Sequence, residues 1–194
     1  VFVTANEDMI ATLNPLISAF FNSTSTMLMS LKESFGRRLW FIVDELPAIQ
    51  KLQALQAILS KGRKYGACFF AGLQGMSQFE EIYGHHGSKT ILNLFNTKFF
   101  FRCEELQATE QVSKWLGDEE IEEAKESLSY GAHQMRDGVS MNHQKSIRRL
   151  VLPTEVAQLP DLTCYLKFPG KFPIAKLKMS YNDIKKQHEE FELI

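Results

Sequence analysis

An α/β fold with parallel strands is the class this sequence predicts, and three stretches predict it. Leu39–Val43 (LWFIV) is a short, unbroken apolar run of aromatic and β-branched residues, the composition of a strand buried on both faces of a parallel sheet. Residues 67–74 (ACFFAGLQ) form a second such run, ending in a polar residue. Between them Pro47 suits the first turn of a helix, and Leu52, Leu55, Ile58 and Leu59 supply its buried stripe. A strand, a helix of suitable length and another strand make a right-handed crossover with parallel strands. Asp44, Glu45 and Gln74 then leave the sheet at one edge, the edge where open α/β sheets bind ligands.

The remaining elements follow in order. The chain opens without Met in the β-rich run of residues 1–4, which suggests a piece of a longer protein. Asn6, Glu7 and Asp8 can cap and charge a helix start, and apolar residues recur at helical spacing from Met9 to Leu31. Pro15 is expected to kink that helix or mark a restart. The second helix ends in Lys61-Gly62-Arg63-Lys64-Tyr65-Gly66, cations followed by glycine, as helix C-termini prefer. Residues 76–83 and 88–95 are predicted helices about a Gly84-His85-His86-Gly87 turn, and KFFFR (98–102) is a third short strand. Helices are expected over 106–116 and 119–128, the second strongly acidic and solvated, and an exposed loop over 131–145. Residues 147–152 suggest a strand, 153–159 a short helix capped by Thr154, and 163–168 with 174–179 two strands about a Pro-Gly loop. Charged residues 182–194 close the chain.

Composition narrows the chemistry. At 194 residues and 44% hydrophobic, the chain can bury a core. A formal charge of -1 gives no bulk affinity for nucleic acid or membrane surfaces, so a polyanion needs a local patch or a ring of patches from several subunits. Cys68, Cys103 and Cys164 lie far apart without ligand spacing, which predicts reduced, core-filling thiols and no metal centre. His85-His86 lacks a third ligand at suitable spacing, and Ser77 and Ser88 lack the context of a hydrolase nucleophile. No stretch is apolar enough to span a bilayer, and none has the pattern of a signal peptide.

An apolar strand ending in Asp-Glu is the Walker B pattern of nucleotide-driven motors. There the first acid holds Mg²⁺ and the second orients and deprotonates the attacking water. The plainer reading is a buried strand followed by an acidic helix start. Arg63 likewise has a plain role at a helix C-terminus, and Gln74 one at a strand end.

The motifs taken together resemble the conjugative type IV coupling proteins, the TraD/TraG/TrwB-like group of RecA-type ATPases. The resemblance is carried by Glu7-Asp8-Met9, Leu13-Asn14-Pro15-Leu16-Ile17-Ser18, LWFIVDELP, and LSKGRKYGACFFAGLQGMSQ at 59–78. It continues through Ile82-Tyr83-Gly84, Asn96-Thr97, Ser129-Tyr130-Gly131 and LPDLTCYLKFPGKFPIAKLKM at 159–179, in order and over nearly the whole chain. It implies a partial RecA-like P-loop NTPase domain, a mostly parallel sheet with helices on both faces. Residues 1–181 would form the C-terminal part of the motor and 182–194 a charged tail.

By the same resemblance, Asp44 is the Mg²⁺-side acid and Glu45 the catalytic glutamate. Arg63 is a finger reaching across a subunit boundary, and Gln74 senses the γ-phosphate. The implied cofactors are ATP and Mg²⁺. The implied partners are single-stranded DNA with relaxosome proteins, type IV secretion channel components, and further copies in a homo-hexamer. The implied location is the cytoplasmic face of the bacterial inner membrane, held there by segments not in this chain.

The pattern departs in one respect: no GxxxxGK[ST] phosphate loop occurs among the 194 residues. The chain by itself is therefore expected not to turn over ATP, and hydrolysis by the purified chain that Glu45→Ala abolishes would overturn this. Arg136, Lys145, Arg148 and Arg149 are an expected DNA-facing loop. Two other readings stay open, a coupling ATPase for protein effectors and a non-catalytic truncated docking or assembly module.

Overall fold

The two apolar runs pair as expected. β1 (Leu39–Val43) and β2 (Ala67–Ala71) are parallel, in register from Leu39 opposite Ala67 to Val43 opposite Ala71. The computed structural model describes residues 1, 3, 7–129 and 138–183. It divides into two compact units, residues 1–98 with 105–108, and residues 99–104 with 109–194. The described residues end at 183, so the tail from 184 onward lies outside them.

In the first unit, α1 (Glu7–Ser30) is one helix with Pro15 inside it and no restart there. Val1 and Val3 belong to no strand, and Asn6 of the expected cap lies outside the described residues. Phe21 of α1 packs edge-on against Phe41 of β1 at 5.4 Å and Phe69 of β2 at 6.0 Å; Phe41 and Phe69 stack at 5.9 Å, and Phe95 meets Phe69 at 6.0 Å. These contacts close one face of the parallel pair. The other stands open, with Trp40 61%, Ile42 72% and Phe70 52% exposed, which corrects the expectation of burial on both faces. Alternation along a strand places Trp40, Ile42, Cys68 and Phe70 on that uncovered side.

The crossover is shorter than the apolar stripe suggests. Pro47–Ile49 is a single 3₁₀ turn and α2 (Leu55–Lys61) a separate two-turn helix, although Leu52, Leu55 and Ile58 are all buried as expected. α3 (Met76–Leu94) contains the expected break at Gly84, where φ is 73°; His85, His86 and Gly87 are helical rather than a turn.

The second unit carries two corrections. Residues 119–128 are not a helix but part of β4 (Asp118–Ser129), and residues 138–145 are not a loop but part of β5 (Gly138–Arg149), its antiparallel partner. The strand expected over 147–152 is present to Arg149, and residues 131–137 lie outside the described residues. Glu, Lys and Ala favour helix locally. Cross-strand charge pairs oppose that preference: Arg149 reaches Asp118 at 2.8 Å and Lys145 reaches Glu120 at 2.9 Å. Two of the four cations of the expected DNA loop, Lys145 and Arg149, are thus paired with acids; Arg148 is exposed, and Arg136 lies outside the described residues.

β3 (Lys98–Phe100) joins β6 (Thr163–Lys167) and β7 (Ala175–Lys178) in a three-stranded sheet, β6 and β7 antiparallel. α4 (Leu106–Leu116) spans its predicted residues, and α5 (Pro153–Ala157) starts two residues earlier than a Thr154 cap requires. Leu152 is its N-cap, and the Glu155 carboxylate accepts the Leu152 N–H at 2.7 Å. Phe100, Val112, Leu116, Val151, Val156, Leu159 and Tyr165 form this unit's core. The Ser113 hydroxyl fastens to the Val151 carbonyl inside it at 2.6 Å. Burial pushes the Cys164 thiol up, and none of the three cysteines is in a disulfide.

Candidate functional site

Parallel register brings three of the four candidate residues to one edge. Val43 and Ala71 end their strands opposite each other, so Asp44, Glu45 and Gln74 all follow the carboxyl ends of β1 and β2. Asp44 and Gln74 are exposed and Glu45 is half-buried. The Glu45 Oε1 atom is buried and has no hydrogen-bond partner among the described residues.

Gly72 sets the geometry of this edge. Its N–H donates to the Val43 carbonyl at 2.9 Å and its carbonyl accepts the Leu46 N–H at 3.0 Å, bracketing the two acids. A Cβ at Gly72 would lie 1.9 Å from the Asp44 carbonyl oxygen, so only glycine permits this approach.

Arg63 is elsewhere. It sits on a 3₁₀ turn, Gly62–Tyr65, at the amino end of β2. That turn is fastened to the entry of β1: Ser34 N–H donates to the Lys64 carbonyl at 2.9 Å and Leu39 N–H to the Gly66 carbonyl at 2.8 Å. The Arg37 guanidinium donates to the carbonyls of Lys32 and Tyr65 at 3.2 and 3.3 Å. Gly66, at φ 89°, turns the chain into β2. Five strand residues at about 3.3 Å each put about 15 Å between Arg63 and the acidic edge.

Arg63 is exposed, and among the described residues it has no ion pair. Lys64 beside it pairs with Glu33 at 2.6 Å; that hydrogen bond, then the Tyr65 hydroxyl, raises the ammonium above its ordinary 10.5. Phe35, Ser60, Lys61, Arg63, Lys64 and Tyr65 line an open hollow of about 710 Å³ whose cations suit a negatively charged group.

Residues that no motif assigned also shape the acidic edge. Glu105 accepts the Met76 N–H at 2.9 Å and so caps the helix that begins just after Gln74. The Tyr83 hydroxyl accepts the Leu52 N–H at 3.0 Å and donates to the Gln50 carbonyl at 3.4 Å. Burial raises the Tyr83 hydroxyl above its ordinary 10.0, so it remains a donor at neutral pH. Ile82-Tyr83-Gly84 was legible only as part of a pattern, and Glu105 had no sequence signal at all.

His85 contacts Glu80 at 3.1 Å and Lys89 at 2.8 Å. Among the described residues, no group of three His, Cys, Asp or Glu side chains could hold a metal ion. A lone carboxylate nonetheless fits Mg²⁺, which keeps several waters and takes one or two carboxylates together with phosphate oxygens. Asp44 offers such a carboxylate, and the unpartnered Glu45 oxygen beside it fits a group that handles water.

A parallel strand pair with Asp44, Glu45 and Gln74 at one edge and Arg63 at the other is a layout that a RecA-like fold provides. The model of the type IV secretion-system coupling protein DNA-binding domain matches residues 1–180, and the chain belongs to that family. Coupling protein TraD of Escherichia coli (strain K12) is 37% identical over 190 residues, 98% of this chain and 26% of TraD. The type IV secretion system-coupling protein VirD4 of Bartonella henselae is 24% identical over 143 residues, 74% of this chain and 21% of that protein.

Among solved structures, the unbound monoclinic form of the bacterial conjugative coupling protein TrwBdeltaN70 superposes with a TM-score of 0.85 at 34% identity, covering 97% of this chain and 42% of that one. TrwB in complex with ADP and Mg²⁺ gives 0.81 at 35% identity, covering 96% of this chain and 41% of that one. The fold is therefore α/β and RecA-like, and the chain spans about a quarter of TraD's length. No helix among the described residues is long and apolar enough to cross a membrane.

Proposed function

We propose that this chain is the C-terminal part, residues 1–181, of the ATP-driven motor of a conjugative coupling protein that recruits single-stranded DNA from a relaxosome and translocates it into a type IV secretion channel. The observation that carries this reading is the division of Asp44, Glu45 and Gln74 from Arg63 between the two edges of one parallel pair. Nucleotide complexes of the relative TrwB, one with ADP and Mg²⁺, support it.

Each residue then has a task set by its chemistry. Bound Mg-ATP supplies a γ-phosphoryl group whose charge is partly neutralised. Asp44 holds the cation, directly or through its waters. Glu45 orients the attacking water and takes its proton at a carboxylate oxygen. Gln74, uncharged and exposed at the same edge, hydrogen-bonds the γ-phosphate and reports its presence. Arg63 reaches the γ-phosphate of a neighbouring copy in a homo-hexamer; a planar, always-charged guanidinium suits that better than an ammonium. The phosphate cradle belongs to a part of the motor outside these 194 residues. The assembly works at the cytoplasmic face of the inner membrane.

Protein effectors are the second reading of the cargo. It is favoured by the β4–β5 hairpin, where Lys145 and Arg149 are paired with Glu120 and Asp118 instead of facing a polyanion.

The test is ATP hydrolysis by the full-length parent with and without single-stranded DNA. Hydrolysis should rise with DNA and fall about 100- to 10,000-fold in Glu45→Gln. Activity indifferent to DNA would move the cargo to protein, and none under any condition would sink the motor reading.

A further inference from the structure

Beyond the Leu46 N–H to Gly72 carbonyl bond, the segment that follows Glu45 is tied down by side chains. Its only regular structure is the Pro47–Ile49 turn, in which Ala48 N–H donates to the Glu45 carbonyl at 3.2 Å and Gln50 N–H to the Pro47 carbonyl at 3.1 Å. Gln50 then adopts φ 60° and ψ −155°, a positive-φ, extended-ψ conformation that a residue with a Cβ holds only where its surroundings impose it.

The Tyr83 hydroxyl supplies that constraint on both sides of the corner. It donates to the Gln50 carbonyl and accepts the Leu52 N–H, while its ring rests on buried Phe79 at 4.8 Å. At the other end of the turn, Asn14 of α1, 3% exposed, donates to the Ala48 carbonyl at 3.3 Å. Asn22 of the same helix accepts the Ala54 N–H at 3.1 Å, closing the segment where α2 begins. The Glu45 Oε1 atom, by contrast, has no partner among the described residues. The direction of that carboxylate therefore follows from the backbone of the turn it starts.

We propose that Tyr83 is a positioning residue for Glu45: its hydroxyl locks the Gln50 corner, and the locked turn aims the carboxylate at the edge of the sheet. This rests on the reading of Glu45 as the base that activates water. Misplacing a catalytic group by about 1 Å can cost as much as 100-fold in rate, so a loosened turn has a measurable effect.

The experiment uses the full-length parent with Tyr83→Phe, Glu45→Gln and the double variant. Tyr83→Phe keeps the ring on Phe79 and deletes only the hydroxyl. Its kcat for ATP should fall about tenfold with KM for ATP changed less than about twofold. Amide exchange at Leu52, which loses its acceptor, should accelerate. Because both substitutions act through one carboxylate, the double variant should be no slower than Glu45→Gln alone.

An unchanged kcat overturns the proposal, whether or not Leu52 exchanges faster. So does a fall in kcat accompanied by a matching rise in KM and loss of thermal stability, which is the signature of a merely structural hydroxyl. Additive losses in the double variant overturn it too. Full activity in Glu45→Gln is a different failure, since it removes the base reading itself and the proposal with it.

Discussion

Arg63→Ala in the full-length parent is expected to slow ATP hydrolysis by about 1,000- to 100,000-fold, the range for an arginine that stabilises a phosphoryl-transfer transition state. Nucleotide binding by the same subunit should stay near its original strength. Both halves of the expectation come from where the residue sits. Arg63 stands about 15 Å, the length of a five-residue strand, from the acids of its own chain. Its turn is pinned by Arg37, Ser34 and Leu39, so it does not swing across.

The sharpest form of the measurement mixes Arg63→Ala subunits with Glu45→Gln subunits. Each is inactive alone, yet an interface pairing the intact Glu45 of one with the intact Arg63 of the other is complete. Activity should therefore return in mixed assemblies. Mixed assemblies as inactive as their parents would place Arg63 outside the reaction of its neighbour.

Gly72→Ala is expected to be the most destabilising small change on the acidic edge. A methyl group would stand 1.9 Å from the Asp44 carbonyl oxygen, and the obstacle is backbone held by two hydrogen bonds, not the free end of a side chain. Relief requires the strand ends to part, a loss of about 3 kcal/mol by comparison with overpacked cores. Gly36→Ala is the control, because a Cβ there meets nothing within 4 Å. Denaturant midpoints of the two variants should differ clearly, and equal midpoints would show that Gly72 bears no such constraint.

What was legible beforehand depended on how local its cause was. Leu39–Val43 and Ala67–Ala71 announce themselves as strands because apolar β-branched and aromatic runs have few other places to go. From their parallel pairing the common edge of Asp44, Glu45 and Gln74 follows without further information. Residues 119–128 read as helix because Glu, Lys and Ala favour it, and the cations that overrule this preference lie far along the chain, Lys145 against Glu120 and Arg149 against Asp118. Helical periodicity through Leu52, Leu55 and Ile58 correctly marked burial but not the 3₁₀ turn, which is fixed by Tyr83 and two asparagines of α1. Glu105 reaches the start of α3 from 29 residues away, a contact that only the folded chain creates.

The open face of the parallel pair also has an optical consequence. The chain has two tryptophans, and they fall one to each compact unit. Trp40 stands on the uncovered face beside Ile42 and Phe70, while Trp115 is half-buried and stacked on Phe100 at 5.8 Å. Their emission is therefore separable without any label: Trp40 glows red-shifted and yields to aqueous quenchers, and Trp115 does so far less. Whatever comes to rest on the bare face will announce itself as a blue shift of one indole while the other stays dark to the event.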